Sequence, residues 1–231
     1  MNARGLCFET IHERVISYVH TFWGHRTSAF APDAVLSEAG IEFTRKTVNR
    51  TGGRVDDPAF EKISPMNQIP ALVMPDGTVL CESLAISLAL AERHPESGVL
   101  PAIGSTERAL VYRWLMHIVC NIYEVDLRHS YADRYTTDPD GIVGVRAAAE
   151  KRWDRAFEVI EEAAGEGPWF MGAAFSLVDV YLAATVCWHY DTPALLKRLP
   201  KIARICGNVR KREKTGPLFE LYKMPELDGL V

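Results

Sequence analysis

The sequence predicts two parts: a small mixed α/β domain, followed by an all-helical domain. Strand and helix patterns alternate through roughly the first 90 residues, a segment rich in proline and glycine follows, and only helical patterns come after it. We expect an irregular leader at 1–12, the mixed domain at 13–95, a linker at 96–105 and the helical domain at 106–231.

The mixed domain begins with a strand–helix–strand pattern. Residues 14–22 are rich in β-branched and aromatic side chains, which favours a strand. A helix is expected from Ser28, because Pro32 is tolerated near a helix start and Gly40 supplies a C-terminal stop. The alternating residues 41–48 predict the second strand.

The rest of the mixed domain reads as loop, short helix, hairpin and helix. Residues 49–57 are polar with paired glycines and predict a loop, and a short helix is expected near 58–63. Strands at 71–74 and 78–81 flank a Pro-Asp-Gly turn. A largely buried helix is expected from Glu82, because its apolar residues lie on more than one face. The predicted order is βαβαββα.

The second half contains helical patterns alone. We expect helices at about 106–129, at about 143–164, from just after Phe175, and at roughly 199–213. Hairpin signals are missing from this half of the sequence, which therefore predicts an all-α domain packed on the first.

Composition excludes several classes of function. Basic residues number 26 and acidic residues 30, so a net charge of -4 provides no global field for nucleic acid or an anionic membrane. No apolar run reaches the roughly 18 residues that span a bilayer. Charges at Glu9, Glu13 and Arg14 interrupt the first twenty residues, so we expect no signal peptide there. The 5 cysteines form neither a CxxC pair nor a zinc pattern, which predicts a reducing, cytoplasmic setting and no metal.

Three local patterns carry chemistry or folding information. In Asn67-Gln68-Ile69-Pro70-Ala71-Leu72 a proline precedes a strand, where it either starts an edge strand or, as a cis bond, turns the chain sharply. Glu82-Ser83 opens a helix whose free N–H groups attract a carboxylate, although both residues are also ordinary at helix starts. Ser176-Leu177-Val178-Asp179 has capping-box spacing, which indicates a folding element.

Together these patterns resemble the cytosolic glutathione transferase superfamily, over about residues 14–214. They are similar to its "QVPAL" strand entry, its "ES-x-AI" helix start and its S/T-x-x-D capping box. The resemblance implies a thioredoxin-like N-terminal domain, a homodimer, a cytoplasmic role in detoxification, and glutathione and a hydrophobic electrophile as substrates. It also implies that the backbone of Ile69, before Pro70, holds the cysteinyl moiety of glutathione like an added strand. Glu82 would then pair with the α-ammonium and Ser83 would donate to the γ-glutamyl carboxylate.

The thiol of glutathione has a pKa near 8.5 when unperturbed. In members of this family a hydroxyl donor, or a cysteine, near the start of the first helix lowers that pKa. The segment Leu36–Phe43 resembles the bacterial beta class, and counting back places Ser28 where that class carries cysteine. Serine there favours thiolate stabilisation by a hydroxyl over mixed-disulfide chemistry. Thr27 is the alternative donor, Arg26 or His25 can add positive charge, and Ser28 also fits an ordinary helix cap.

The electrophile is expected between the domains, against the long helix after the linker. Arg113-Trp114-Leu115 resembles the "Q-W-L" of that helix, and on this register Met116 and Tyr123 replace an asparagine and a histidine that line the cleft. Trp23 is expected to form another wall. Tyr123 also fits a half-buried helix tyrosine.

The function predicted from these residues is that of a glutathione transferase. A glutathione-dependent lyase, isomerase or dehalogenase is the alternative among enzymes, and a non-catalytic transferase-like binding protein is the alternative outside them. The missing CxxC pair disfavours a disulfide oxidoreductase.

Overall fold

A computed structural model describes residues 19–74 and 76–230 of the chain. The expected leader at 1–12 and the start of the strand predicted at 14–22 lie outside these residues. In the mixed part the structure places β1 (Val19–Trp23), α1 (Phe30–Ala39), β2 (Phe43–Thr47), β3 (Arg50–Thr51), β4 (Arg54–Val55), β5 (Ala71–Val73), β6 (Val79–Cys81) and α2 (Ser83–Arg93).

The described residues form one sheet of four strands, in the order β2-β1-β5-β6. β1 and β2 are parallel, with α1 as the crossover between them, and the other neighbouring pairs are antiparallel. Ala71 lies opposite Phe22 on one side and opposite Cys81 on the other. This mixed sheet with its helices, followed by a helical part, confirms the predicted fold class.

The loop predicted at 49–57 is wrong, because a small hairpin lies there. β3 and β4 pair with Arg50 opposite Val55 and Thr51 opposite Arg54. The two residues between the strands, Gly52 and Gly53, have φ of 54° and 75°, which is the geometry of a two-residue type I′ turn. The paired glycines were therefore a hairpin signal. The short helix expected near 58–63 is a 3₁₀ helix at Pro58–Lys62, with Asp57 accepting a bond from the Ala59 N–H at 2.9 Å.

The second half of the described chain is helical apart from one isolated bridge between Trp169 and Gly172. Its helices are α3 (Thr106–Ile118), α4 (Glu124–Ser130), α5 (Ile142–Ala163), α6 (Leu177–Val186), α7 (Thr192–Arg198), α8 (Pro200–Arg210) and α9 (Gly216–Leu221). The helix predicted at 106–129 is divided, because a π-helical segment at Val119–Tyr123 joins α3 to α4. The short helices α7 and α9 were not predicted from the sequence. A helix-start signal is nevertheless present for α7, because Asp191 caps it by accepting from the Ala194 N–H at 3.1 Å.

The core is continuous between the two parts. All ten residues of α6 are buried, and α6 packs against α1, α3 and α8. Phe30 of α1, Trp153 of α5 and Ile205 of α8 are fully buried in the same apolar cluster. In the described part of the chain no helix combines the length and hydropathy needed to cross a membrane.

Two buried carboxylates of α1 bind the two parts together. Glu38 accepts from Arg212 Nε at 2.8 Å, from Arg212 Nη2 at 2.7 Å and from the Thr215 hydroxyl at 2.5 Å. Asp33 accepts from the Tyr222 hydroxyl at 2.8 Å and from Arg45 at 2.5 Å. The C-terminal segment is thereby fixed to the first helix by charge-assisted hydrogen bonds.

Candidate functional site

Strand register brings three sequence segments to one end of the sheet. Because Ala71 pairs with both Phe22 and Cys81, the Ile69-Pro70 turn, the segment after β1 and the start of α2 must emerge side by side. The segment after β1 carries Thr27 and Ser28, and α2 begins at Ser83. Positions far apart in sequence therefore meet for a topological reason.

A cleft that is open to solvent lies beside this end of the sheet. Thr27, Ser28, Ile69 and Tyr123 line it, so the structure brings together four residues that the sequence analysis had selected. The full lining comprises Arg26, Thr27, Ser28, Arg50, Gly53, Gln68, Ile69, Tyr123, Asp126, Leu127, Tyr131, Arg134 and Trp188.

Ser28 and Tyr123 form the central polar contact of the cleft. Their hydroxyl oxygens are 2.9 Å apart, and Ser28 is only 4% exposed. Burial raises the pKa of Tyr123 to about 12, even though the Ser28 hydroxyl opposes this shift. Tyr123 therefore keeps its proton near neutral pH and can donate it to Ser28, which leaves the Ser28 proton for a third group.

The hydroxyl of Thr27 is committed elsewhere, since it donates to the Gly24 carbonyl at 2.8 Å. A hydroxyl has a single proton, so Thr27 in this arrangement can accept a bond but cannot donate one to a ligand. Ser28 does not cap α1: the cap residue is Ala29, and α1 has no side-chain cap. Of the two candidate donors, the geometry favours Ser28.

The Ile69-Pro70 peptide bond is cis. Within the described residues, neither the N–H nor the carbonyl oxygen of Ile69 has a hydrogen-bond partner, although the residue is only 9% exposed. A backbone donor and acceptor of this kind, just before the start of β5, can pair with an extended peptide as an added strand would.

Glu82 and Ser83 lie at the adjacent N-terminus of α2 but do not line the cleft itself. Glu82 is exposed and has φ 67°, a conformation that costs a non-glycine residue about 1–3 kcal/mol. Ser83 is buried, and its carbonyl accepts from the Ser87 hydroxyl at 2.8 Å. Strained backbone of this type concentrates at ligand sites, and the helix N-terminus beside it favours an anion.

Trp23 and Met116, which were expected to form walls of the substrate cleft, do not line it. Trp23 is 8% exposed, and its ring packs against the Tyr222 ring at 5.1 Å, away from the cleft. Met116 is 52% exposed on α3 and does not line the cleft. The π-helical segment between Met116 and Tyr123 takes up extra residues per turn, so the two positions do not share a face as they would in a continuous α-helix.

The aromatic wall of the cleft comes instead from Trp188 and Tyr131. The Trp188 ring lies 5.3 Å from the Tyr123 ring, and Tyr131 follows the end of α4. Neither residue was predicted from the sequence. Trp188 directly follows the fully buried helix α6 and is not part of any recognisable motif. Only the packing of α6 against α3 places it at the cleft.

Charged groups line the cleft as well. Arg26 donates to the Cys187 carbonyl at 2.6 Å and forms an ion pair with Glu226, so its charge is compensated. Burial raises the pKa of Asp126 to about 6, against the lowering effects of the Ser130 hydroxyl and Arg26. Among the described residues, no group of three or more His, Cys, Asp or Glu side chains is arranged to hold a metal.

Comparisons with known proteins agree with this architecture. Residues 29–93 match the family described as glutathione S-transferase, N-terminal domain, and residues 144–204 match glutathione S-transferase, C-terminal domain. The chain is 27% identical over 192 residues to glutathione S-transferase GstA of Escherichia coli O157:H7, which covers 83% of this chain and 92% of that protein.

Two further relatives bear on fold and function. Maleylacetoacetate isomerase of Pseudomonas aeruginosa is 25% identical over 191 residues, covering 78% of this chain and 84% of the relative. A glutathione transferase homologue from Sulfitobacter, solved with bound glutathione, superposes with a TM-score of 0.82 at 19% identity, over 90% of this chain and 99% of that one. This last likeness concerns the fold, which is the thioredoxin-like plus all-helical arrangement.

Proposed function

Because this chain belongs to the cytosolic glutathione transferase superfamily, we propose that it binds glutathione and activates its thiolate for attack on an electrophile. The observation that carries the proposal is the meeting of the unpartnered Ile69 backbone with the Ser28 hydroxyl at one cleft. One holds a peptide and the other faces its sulfur. Both requirements of thiol transfer, positioning and a lowered pKa, are then met in one place.

Glutathione would lie along the end of the sheet. Its cysteinyl N–H and carbonyl would pair with Ile69, next to the cis Pro70. Its γ-glutamyl carboxylate would accept from Ser83 and the N-terminal N–H groups of α2, and its ammonium would pair with Glu82. Arg50, which donates to the His25 carbonyl at 3.1 Å, is close enough to Ile69 to face the remaining carboxylate.

The sulfur would then accept a hydrogen bond from Ser28, itself supported by Tyr123. With an aryl halide, the thiolate attacks the carbon that carries the halogen, a C–S bond forms, the C–halogen bond breaks and halide leaves. The protein's part is to favour the thiolate over the thiol, and one charge-assisted bond of about 1.5–3 kcal/mol corresponds to about one to two pKa units.

Calorimetric titration with glutathione tests the binding site. Replacing Ser83 with alanine should weaken affinity about tenfold or more, the loss expected for a hydrogen bond to a charged group. Ser97→Ala is the matched control, because Ser97 is a buried serine beyond the C-terminal end of α2 and does not line the cleft. Equal affinities for the Ser83 variant and the native chain would remove Ser83 from the site.

A glutathione-dependent isomerase is the second candidate, because one relative is a maleylacetoacetate isomerase. A panel of aryl halides, peroxides and cis-enone acids, assayed with glutathione, separates the two activities. Failure to turn over any electrophile while glutathione binds would favour a non-catalytic binding protein.

The proposal also includes a homodimer in the cytoplasm. Light scattering at micromolar concentration should then give twice the chain mass, and a species of 25.8 kDa would refute the dimer. Cell fractionation tests the location.

A further inference from the structure

The cleft carries more positive charge than its own carboxylates neutralise. Three arginines and one carboxylate line it: Arg26, Arg50, Arg134 and Asp126. Arg26 is compensated by Glu226. Within residues 19–74 and 76–230, neither Arg50 nor Arg134 has a carboxylate partner, so two guanidinium groups remain available to an anion.

The two free guanidinium groups come from different parts of the chain. A Cβ built on Gly24 would lie 3.3 Å from Arg50 Nε and 3.4 Å from Ile69 Cδ1, which places Arg50 beside the residue proposed to hold glutathione. Arg134 belongs to the helical part, just after α4. Leu127 and Trp188, which also belong to the helical part, line the same cleft.

Arg134 is held in a defined position. Its guanidinium lies over the Tyr131 ring, 4.1 Å from the ring centroid, and donates to the Gly52 carbonyl of the β3–β4 hairpin. The hairpin packs tightly here, since a Cβ on Gly53 would lie 2.6 Å from the Tyr131 hydroxyl. A guanidinium has five N–H donors, so the bond to Gly52 and the stacking leave donors free for a planar anion.

We propose that the electrophile taken by this cleft carries a carboxylate, which Arg134 binds. The aromatic wall of Tyr131 and Trp188, together with the Tyr123 ring that Trp188 contacts, would cover the apolar body of the electrophile. This rests on the proposed transferase function, whose acceptor lies against the helical part. This arrangement suits a flat substrate with one anionic end. The aromatic rings can stack on its apolar part, and the guanidinium of Arg134 can bind its carboxylate through two parallel hydrogen bonds.

The test compares two matched aryl chlorides, 4-chloro-3-nitrobenzoate and the neutral 4-chloro-3-nitrobenzamide, each assayed with glutathione. After correction for the uncatalysed rates, we expect kcat/KM to favour the benzoate about tenfold, and Arg134→Gln to abolish most of this preference. The magnitude is that of a charge-assisted hydrogen bond that is partly open to solvent. Arg134→Lys should retain part of it, since the charge remains without the fork.

Arg128→Gln is the control variant. Arg128 lies on α4, a few residues before Arg134, pairs with Glu124 and does not line the cleft. It should leave the preference intact. If Arg134 served only to tie the hairpin to the helical part, Arg134→Gln would slow both acceptors equally, and the proposal would be wrong. A weaker affinity for glutathione with an unchanged acceptor preference would assign Arg134 to the tripeptide and also overturn the proposal.

Binding of each acceptor without glutathione separates this inference from the proposed function. Calorimetry should show tighter binding of the benzoate than the benzamide in the native chain, and equal binding in Arg134→Gln. That result would support the carboxylate site even if neither compound were turned over. Equal binding of both compounds by the native chain would count against the site even if transferase activity were found.

Discussion

The hydroxyl oxygens of Ser28 and Tyr123 lie 2.9 Å apart, across the boundary between the mixed and helical parts of the chain. Ser28 follows the first strand, whereas Tyr123 ends the π-helical segment between α3 and α4. Their contact couples the packing of the two parts to the group that would face the glutathione sulfur.

Ser28→Ala should raise the pKa of bound glutathione by about one to two units, because the thiolate loses a donor. Glutathione affinity should persist, since the backbone of Ile69 is unchanged. Ultraviolet absorbance of the thiolate against pH measures the effect. Ser28→Cys should keep binding and can add mixed-disulfide chemistry. An unchanged titration for Ser28→Ala would pass the role to Arg26 or a backbone N–H.

Tyr123→Phe should raise the same pKa by a smaller amount, about half a unit, if Tyr123 acts by donating to Ser28. In Ser28→Ala the added Tyr123→Phe change should have little further effect, since the chain of donors is already broken. Additive shifts in the double variant would show that Tyr123 contacts the sulfur independently of Ser28.

Asp126→Asn should lower the pKa of bound glutathione, by about half a unit. The pKa of Asp126 is raised to about 6 by burial, so its carboxylate is charged at pH 7 and opposes a second negative charge in the same cleft. Asp126→Glu, which retains the charge, is the control. An unchanged pKa of bound glutathione in Asp126→Asn, or a lowered pKa in Asp126→Glu, would contradict the electrostatic explanation.

Glu38→Gln should lower the free energy of unfolding by about 2 kcal/mol at pH 7, because Arg212 loses a nearly buried bidentate partner. Burial alone would raise the pKa of Glu38, but bonds from Arg212 and Thr215 hold it below its usual value. A lowered carboxyl pKa contributes stability that is present above the unfolded pKa and is lost as pH falls through the folded one. Denaturant unfolding should therefore give stabilities of native chain and variant that converge as the pH falls through the lowered pKa of Glu38.

Asp179→Ala should destabilise the chain by about 3 kcal/mol without changing the pKa of bound glutathione. The carboxylate accepts from the Phe170 N–H at 2.7 Å, the Ser176 N–H at 2.8 Å and the Ser176 hydroxyl at 3.0 Å. Asp179 is fully buried and does not line the cleft, so its pKa of about 6 reflects burial at a helix start. A large loss of thiolate in a folded variant would contradict this structural role.

The sequence alone predicts the fold class, the local motifs and most of the elements, but not the β3–β4 hairpin, α7 or α9. Pro70 before β5, Glu82-Ser83 at the start of α2 and the capping box at Ser176 all depend on near neighbours, so their residue types suffice to predict them. Ser28 depends instead on the resemblance to the beta class, since counting back from Leu36–Phe43 places it at the cysteine position of that class. The capping box is present as predicted.

Which side chains share the cleft depends on packing between elements that are distant in sequence. Trp188, Asp126 and Arg134 reach it because α6 packs on α3 and the β3–β4 hairpin meets Tyr131, contacts that local sequence does not encode. Trp23 does not line the cleft, and its ring packs against that of Tyr222, near the opposite end of the chain. A motif fixes the conformation of a few adjacent residues, whereas a wall of a cleft is assembled from distant ones, whose positions follow from burying one continuous core.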